Sequence, residues 1–307
     1  MCEWFGITRQ AYYQHQRSCK DASIENEIVL QEVIHIRQQH PSLGTRKLHL
    51  KLQEVLRIHK IKLGRDKLFE LLSDNKMLVR KHKNRHKTTH SHHWMKKYPN
   101  LIRGLNPQSP NQIWASDITY WKLKEGHVYI SLITDLYSHK IVGYHVAETL
   151  DSIQTRRALK MALTGLMREP SNPFQLIHHS DRGAQYCEQN YVKLLKKYKI
   201  QISMTENGDP LENAVAERIN GILKLEYLYH YQVKNIKNAS EKLAIAVDLY
   251  NNDRPHMSIG NQYPETVHKN SLETNKLWKN YYIKKTYTCK PNSGSLNKCK
   301  NIPGFKY

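Results

Sequence analysis

No stretch of the 307 residues approaches the run of about 20 apolar residues that a membrane span needs, and no apolar segment followed by a cleavage site opens the chain. A soluble, intracellular protein is the expectation. Cysteine is scarce: Cys2, Cys19, Cys187, Cys289 and Cys299 are scattered, odd in number and without a Cys-x-x-Cys pair, which argues against both a disulfide framework and a zinc site. Acid is missing from two stretches. Residues 79–97 carry seven Lys or Arg and five His with no Asp or Glu, and residues 276–307 carry eight Lys and no acid. Such stretches build no packed core, so they read as a basic linker and a basic tail. His90, His92 and His93 have no Cys or Asp partner nearby, and a metal site there is not expected. No internal repeat is visible.

What the chain has in excess is positive charge. Lys and Arg number 48 against 27 Asp and Glu, a formal net charge of +21, which makes a polyanion the first partner to consider. Residues 1–110 hold 21 basic and 9 acidic residues, whereas residues 111–275 are nearly balanced at 19 and 18. A near-neutral middle between basic flanks suggests a catalytic body with extensions that neutralise phosphates.

Cys2 to Gln14 reads as a short helix, a turn at Gly6 and a second helix with Thr8 as N-cap. This is either the remnant of a helix-turn-helix, spanning residues 1–20, or an ordinary helical hairpin. From Ile24 the apolar residues Ile24, Ile28, Val29, Val33 and Ile36 recur at helical spacing up to His40-Pro41, where proline stops them. A second helix is predicted over Thr45–Ile58, with Arg46 and Lys47 outward, and a third over Arg65–Met77, with Leu68, Phe69, Leu71 and Leu72 inward. Residues 21–78 thus form a candidate DNA-binding helical domain, followed by a basic linker over 79–110 that opens with Arg80 and Lys81.

Beyond Pro110 the period changes from helix to strand. Ile113–Trp121, His127–Asp135 and Lys140–Val146 predict an antiparallel meander; then come a helix (Ser152–Arg168, Asp151 as N-cap), a strand (Phe174–His179), a helix (Gln189–Tyr198), a short strand (Ile200–Met204) and a long helix from Asn213 to about His230. The order βββαβαβα predicts an α/β domain over 111–270: a ribonuclease H-like, mixed five-stranded sheet with flanking helices and the first strand central. Residues 271–307 remain as the basic tail.

Three acids in this domain suit metal-assisted phosphodiester chemistry, which needs a few hard oxygen ligands converging from separate elements. Asp117 lies mid-strand among apolar and aromatic residues, where an acid is costly to desolvate and calls for a cation. Asp181 follows the fourth strand, at the carboxyl edge where open sheets bind ligands, although a strand-end Asp is also a common turn former. Glu217 lies on the last long helix, with Asn220, Gly221 and Lys224 at i+3, i+4 and i+7 on its face. Lys224 is roughly 10 Å further along that helix, within reach of a DNA phosphate. On placement alone, Glu206, Glu212 and Asp135 compete for the third position, with Glu212 more suited to a helix N-terminus and Asp135 to a structural or supporting role.

At these residues the chain resembles the transposases of the third large bacterial insertion-sequence family, whose catalytic domain is similar to retroviral integrases. That family's Asp, Asp, Glu signature has 35 residues between its last two acids and a basic residue seven positions after the Glu. Here 35 residues separate Asp181 from Glu217, and Lys224 stands at the basic position. Trp114, Asp117-Ile118-Thr119-Tyr120, Asp135-Leu136-Tyr137-Ser138, Lys140-Ile141-Val142-Gly143, His179-Ser180-Asp181-Arg182-Gly183, Tyr250-Asn251-Asn252 and Arg254-Pro255-His256 extend the match. Around Glu217 the chain departs from the usual Asp-Asn-Ala-Pro-Met-Glu-Ser, reading Glu212-Asn213-Ala214-Val215-Ala216-Glu217-Arg218.

The resemblance implies cleavage of element ends to free a 3′-hydroxyl and its attack on a second phosphodiester, with Asp117, Asp181 and Glu217 holding Mg²⁺, or Mn²⁺, as two ions once DNA is bound. It also implies double-stranded DNA as partner, a homo-oligomer on that DNA, a possible fusion to an upstream-frame product, and a place in the bacterial cytoplasm on the nucleoid. Lys224, Arg182, Arg46, Lys47, Arg80 and Lys81 are the candidate DNA contacts. Two alternatives stand beside this reading: a nuclease of the same fold that cuts without joining, and a DNA-binding regulator or remnant with an inactive core.

Overall fold

The computed structural model describes residue 6 and residues 8–79, 94–123, 126–167, 175–206 and 213–272. Arg80, Lys81 and the rest of residues 80–93 of the basic linker, Glu212, and residues 273–307 of the tail lie outside the described residues.

The chain enters through one helix, α1 (Arg9–Gln39), opened by Thr8, whose side-chain oxygen accepts from the Ala11 amide at 3.1 Å. The expected break near residue 20 is absent: helical spacing is continuous through Cys19–Ala22, where no Gly or Pro interrupts it, so two predicted helices are one. It ends at the predicted His40-Pro41. The predicted Thr45–Ile58 helix is two, α2 (Thr45–Lys51) and α3 (Gln53–Ile58), joined at Leu52, and α4 (Arg65–Asp74) stops before Met77. Val29, Val33, Ile36, Leu43, Leu48, Leu52, Leu56, Leu68 and Leu72 close this small core. Phe69 was expected inside but is exposed, as is Ile24 of the α1 repeat, because the four-helix cluster covers only the narrow stripe carrying Val29, Val33, Leu68 and Leu72.

The sheet follows as β1 (Ile113–Lys122), β2 (His127–Asp135) and β3 (Ile141–Ala147), the predicted meander, shifted at its ends by a residue. Then come α5 (Ser152–Leu166), β4 (Ile177–Ser180), a one-turn α6 (Ala184–Cys187), α7 (Gln189–Lys197), β5 (Gln201–Met204) and α8 (Ala214–Glu226). Asp151 occupies the N-cap of α5 but makes no capping bond there; its carboxylate accepts from the Thr149 hydroxyl at 2.6 Å. Two helices that the strand pattern did not announce, α9 (Ile236–Asn252) and α10 (Pro264–Asn270), complete the described chain.

Strand order is β3-β2-β1-β4-β5, with β1 central, antiparallel to β2 and parallel to β4, which is the ribonuclease H-like arrangement. One face packs Trp121, Val128, Ile130, Leu132 and Val146 against α8 and α9; the other packs Trp114 and Ile133 against α5 and α7.

The helical cluster docks on the α8–α9 side through polar groups. Glu226, at the end of α8, accepts two bonds from Arg254 (2.6 and 2.7 Å) and one from Lys47 (3.2 Å). His40 bridges Tyr227 Oη (2.9 Å) and Asp253 (2.7 Å), and Lys51 also pairs with Asp253.

Candidate active site

Register brings the first two acids together. β1 and β4 pair in parallel from Ile113–Ile177 to Ser116–Ser180, so the next residues on each strand are Asp117 and Asp181. Adjacent strands lie about 4.8 Å apart, which sets these two acids side by side at the carboxyl edge of β4. β1 runs on past that edge, still paired to β2 through Asp117–Leu132, and therefore holds Asp117 on a rigid central strand.

α8 is fastened to the same strand at two points. Asn213 Nδ2 donates to the Ser116 carbonyl (3.3 Å), and Asn220 Nδ2 donates to Asp117 Oδ2 (2.6 Å). Asn220 is three residues after Glu217 on one helix face, so this bond also fixes where Glu217 stands. Asp117 Oδ1 accepts from the Ile118 amide (2.9 Å), and Asp181 Oδ1 accepts from the Gly183 amide (3.0 Å). A Cβ at Gly183 would lie 3.0 Å from Asp181 Oδ1 and from Gln185 Oε1, so a larger residue there would press on the Asp181 carboxylate.

The three acids sense one another. Burial first, then the neighbouring Asp181 and Glu217, push Asp117 up to about 7, against the bonds from Asn220 and Ile118. Glu217, at the exposed rim, is raised by burial and by Asp181. Lys224 places its ammonium 4.1 Å from the centre of the Tyr120 ring, three residues along β1 from Asp117. Burial lowers its pKa and the charge of Asp117 partly restores it.

The donor set suits a hard divalent cation: carboxylate oxygens beside one another, their mutual repulsion relieved by positive charge, with the buried Asn220 Oδ1 and Tyr186 Oη lacking a hydrogen-bond partner close by. Yet among the described residues no three Asp, Glu, His or Cys side chains are gathered tightly enough to enclose an ion. The arrangement is an adjacent Asp pair on β1 and β4 with Glu217 on the neighbouring helix α8.

Two of the competing acids, Asp135 and Glu206, are committed elsewhere. Asp135 is fully buried, accepting from the Asn111 amide and from the Ser138 amide and hydroxyl at 2.7–2.8 Å; against burial, His268 first and then the Ser138 bonds hold it below the usual carboxylate range. Glu206 pairs with Arg103 at 3.4 Å. Of the basic candidates, Lys224 adjoins the acids, Arg182 follows Asp181 directly and Arg46 is exposed. Lys47 is turned inward to Glu226, and burial lowers its pKa to about 8. Asn213 and Asn220 were not singled out as site residues from sequence; their one signal was Asn220 at i+3 from Glu217.

The Integrase core domain family matches residues 107–210, and a second family of the same description matches residues 198–264. The insertion element IS600 uncharacterized 31 kDa protein of Shigella sonnei is 35% identical over 86% of this chain and 96% of its own length. This chain belongs to the insertion-sequence transposase family with an integrase-like core. The transposase for insertion sequence element IS629, also from Shigella sonnei, is 33% identical over 53% of each protein, so this chain matches about half of that relative's length. Among solved structures, the HTLV-2 integrase catalytic core domain in complex with magnesium is 22% identical, with a TM-score of 0.43 over 53% of this chain and 99% of that one.

Proposed function

We propose that this chain is a DNA transposase, a polynucleotidyl transferase that cuts insertion-element ends and joins them to new DNA through Asp117, Asp181 and Glu217. The observation that carries the assignment is the parallel register that sets Asp117 beside Asp181, with α8 clamped to Asp117 by Asn220 so that Glu217 borders the pair. Divalent metal use is typical of the integrase-like core; we take Mg²⁺, or Mn²⁺, to be held by these three acids as two ions once DNA is present. Bound there, such ions activate a water or a 3′-hydroxyl and stabilise the leaving oxygen.

The chain's own residues supply position and charge. Asp117 and Asp181 hold negative charge at fixed points on β1 and β4, Asn220 orients Asp117, and Lys224 offers its ammonium to a phosphate two turns of α8 beyond Glu217. Double-stranded DNA is the partner, gripped by a helical part (residues 21–78), the basic linker and the basic tail around a core spanning residues 111–270. Two element ends imply a homo-oligomer on DNA, and an upstream-frame product is the proposed source of further end recognition.

The test is incubation of the purified chain with a labelled, pre-cut terminal-repeat duplex and a plasmid target, with Mg²⁺, with EDTA, and as Asp117→Asn, Asp181→Asn and Glu217→Gln. Joined product that disappears in EDTA and in each variant, with duplex binding kept, supports the assignment. A variant that still joins removes that residue from the site, and cutting without joining makes the chain a nuclease.

A further inference from the structure

The turn that carries Asp181 also fixes a buried tyrosine. Beyond Asp181 the chain passes through Gly183 into α6, and Tyr186 is tied to the same glycine: its amide donates to the Gly183 carbonyl (3.0 Å), while the Gly183 amide donates to Asp181 Oδ1 (3.0 Å). The two side chains converge as well. A Cβ placed on Gly183 would lie 3.0 Å from Asp181 Oδ1 and 3.6 Å from Tyr186 Cδ2, so carboxylate and ring both border one spot above the glycine. The ring is 3% exposed, edge-on to Tyr191 with centroids 5.5 Å apart and tilted against His178 at 6.3 Å.

Packing accounts for this ring but not for its hydroxyl. The polar groups beside it are matched: His178 Nε2 meets Ser116 Oγ at 2.7 Å and Tyr191 Oη at 2.9 Å. Tyr186 Oη, in contrast, is buried with no hydrogen-bond partner among the described residues. A buried hydroxyl left in that condition costs stability, and phenylalanine would fill the same space without the cost. The charges nearby belong to the acids: burial first, then Asp181, Tyr191 and Asp117, raise the Tyr186 pKa well above the usual value. What the hydroxyl wants is an acceptor. The two oxygens of an ionised carboxylate offer about four acceptor sites, enough to take a backbone amide, a hydroxyl and a cation. Carboxylates that ligate metals are as a rule held by hydrogen bonds of this kind.

We propose that Tyr186 is a positioning residue of the metal site, its hydroxyl donating to the Asp181 carboxylate as that group takes a divalent cation and so fixing the ligand's orientation. This deepens the transposase assignment and rests on it.

The test uses the full chain with the pre-cut terminal duplex and no target, its melting temperature followed across a Mn²⁺ series for the unchanged protein, Tyr186→Phe, Asp181→Asn and the control Tyr250→Phe, whose hydroxyl donates to the His139 carbonyl (3.0 Å). Supporting partners of metal ligands are worth about 10-fold to 100-fold in metal affinity. The unchanged chain is expected to melt higher as Mn²⁺ is added, and Asp181→Asn to lose that rise. Tyr186→Phe is expected to melt no lower than the unchanged chain without metal, yet to need at least about tenfold more Mn²⁺ for half of the rise. Tyr250→Phe is expected to show the reverse, a lower metal-free melting temperature with the Mn²⁺ requirement unchanged. In the joining assay the Mg²⁺ requirement of Tyr186→Phe is expected to move by the same factor. If the unchanged chain takes up Mn²⁺ and joins DNA while Tyr186→Phe needs no more of either ion, the tyrosine only packs and the transposase assignment stands; if the unchanged chain neither responds to Mn²⁺ nor joins DNA, both fall.

Discussion

Asp117 depends on one neighbouring side chain for its orientation. Asn220 donates to Asp117 Oδ2 and, from the same helix face as Glu217, links the central strand to the third acid. Such supporting partners of carboxylates at metal sites are typically worth about 10-fold to 100-fold in activity. Asn220→Ala is therefore expected to lower joining by about that factor in the assay above while duplex affinity stays unchanged; full joining would show that Glu217 is placed without it. Asn220 was visible in the sequence as the i+3 neighbour of Glu217. That it would contact Asp117, 103 residues earlier, depends on how α8 lies on β1 and was not readable.

At the scale of elements, the site rests on how closely helices approach the sheet. α5 crosses β3 at Gly143, where an added Cβ would lie against the Ala158 carbonyl oxygen and 2.9 Å from Ala162 Cβ. Both contacts are with rigid parts of α5, so Gly143→Ala must force the helix off the sheet. Overpacking of this kind costs about 1–3 kcal/mol, to be read as a lower midpoint in urea unfolding. An unchanged midpoint would mean that the α5–β3 contact yields freely. β2 was legible over its full length because its buried, β-branched run belongs to a strand covered on both faces. The join at Leu52 was not, because the residues from Thr45 to Ile58 keep a helical period on both sides of it.

Over the whole molecule, the helical cluster and the catalytic sheet are tied by buried charge. Arg254 is 1% exposed and depends on Glu226, which also accepts from Lys47. Glu226→Gln leaves a buried guanidinium without its counter-charge, and breaking such pairs costs about 3–5 kcal/mol. The expected signs are a lower melting temperature and faster proteolysis between α1 and the sheet; wild-type stability would show the pair to be replaceable. The neighbouring tie gives a pH dependence. His40 faces Tyr227, Asp253, Lys51 and Glu226, and burial lowers its pKa, so the folded state resists its protonation and stability declines as pH falls below about 6.5. Asp253 is held below the usual carboxylate range because bonds from His40 and Lys51 outweigh its burial, so its contribution is complete above about pH 4 and lost as pH falls through its lower folded value. Both effects act in one direction, whereas Asp117, raised to about 7, acts in the other and does so equally in a His40 variant; calorimetry from pH 7 to pH 5 is therefore expected to show the melting temperature of the unchanged chain falling relative to that of His40→Gln. A parallel fall in that variant would exclude His40 as the cause.

The sequence by itself determined the order of strands and of the main helices between them from β1 to α8, the basic flanks, and the three acids with Lys224 at the family's spacing, because these depend on local period, composition and separation along the chain. Tertiary structure decided what those residues meet. The β1–β4 register made neighbours of Asp117 and Asp181, Asn220 linked the helix of Glu217 to them, and Lys47 turned inward to Glu226 although its place in α2 suited it equally to solvent. Each of these is a contact between residues far apart in the chain. A side chain's charge and helix face are local properties, whereas its partner is set by which surfaces the whole fold brings within reach.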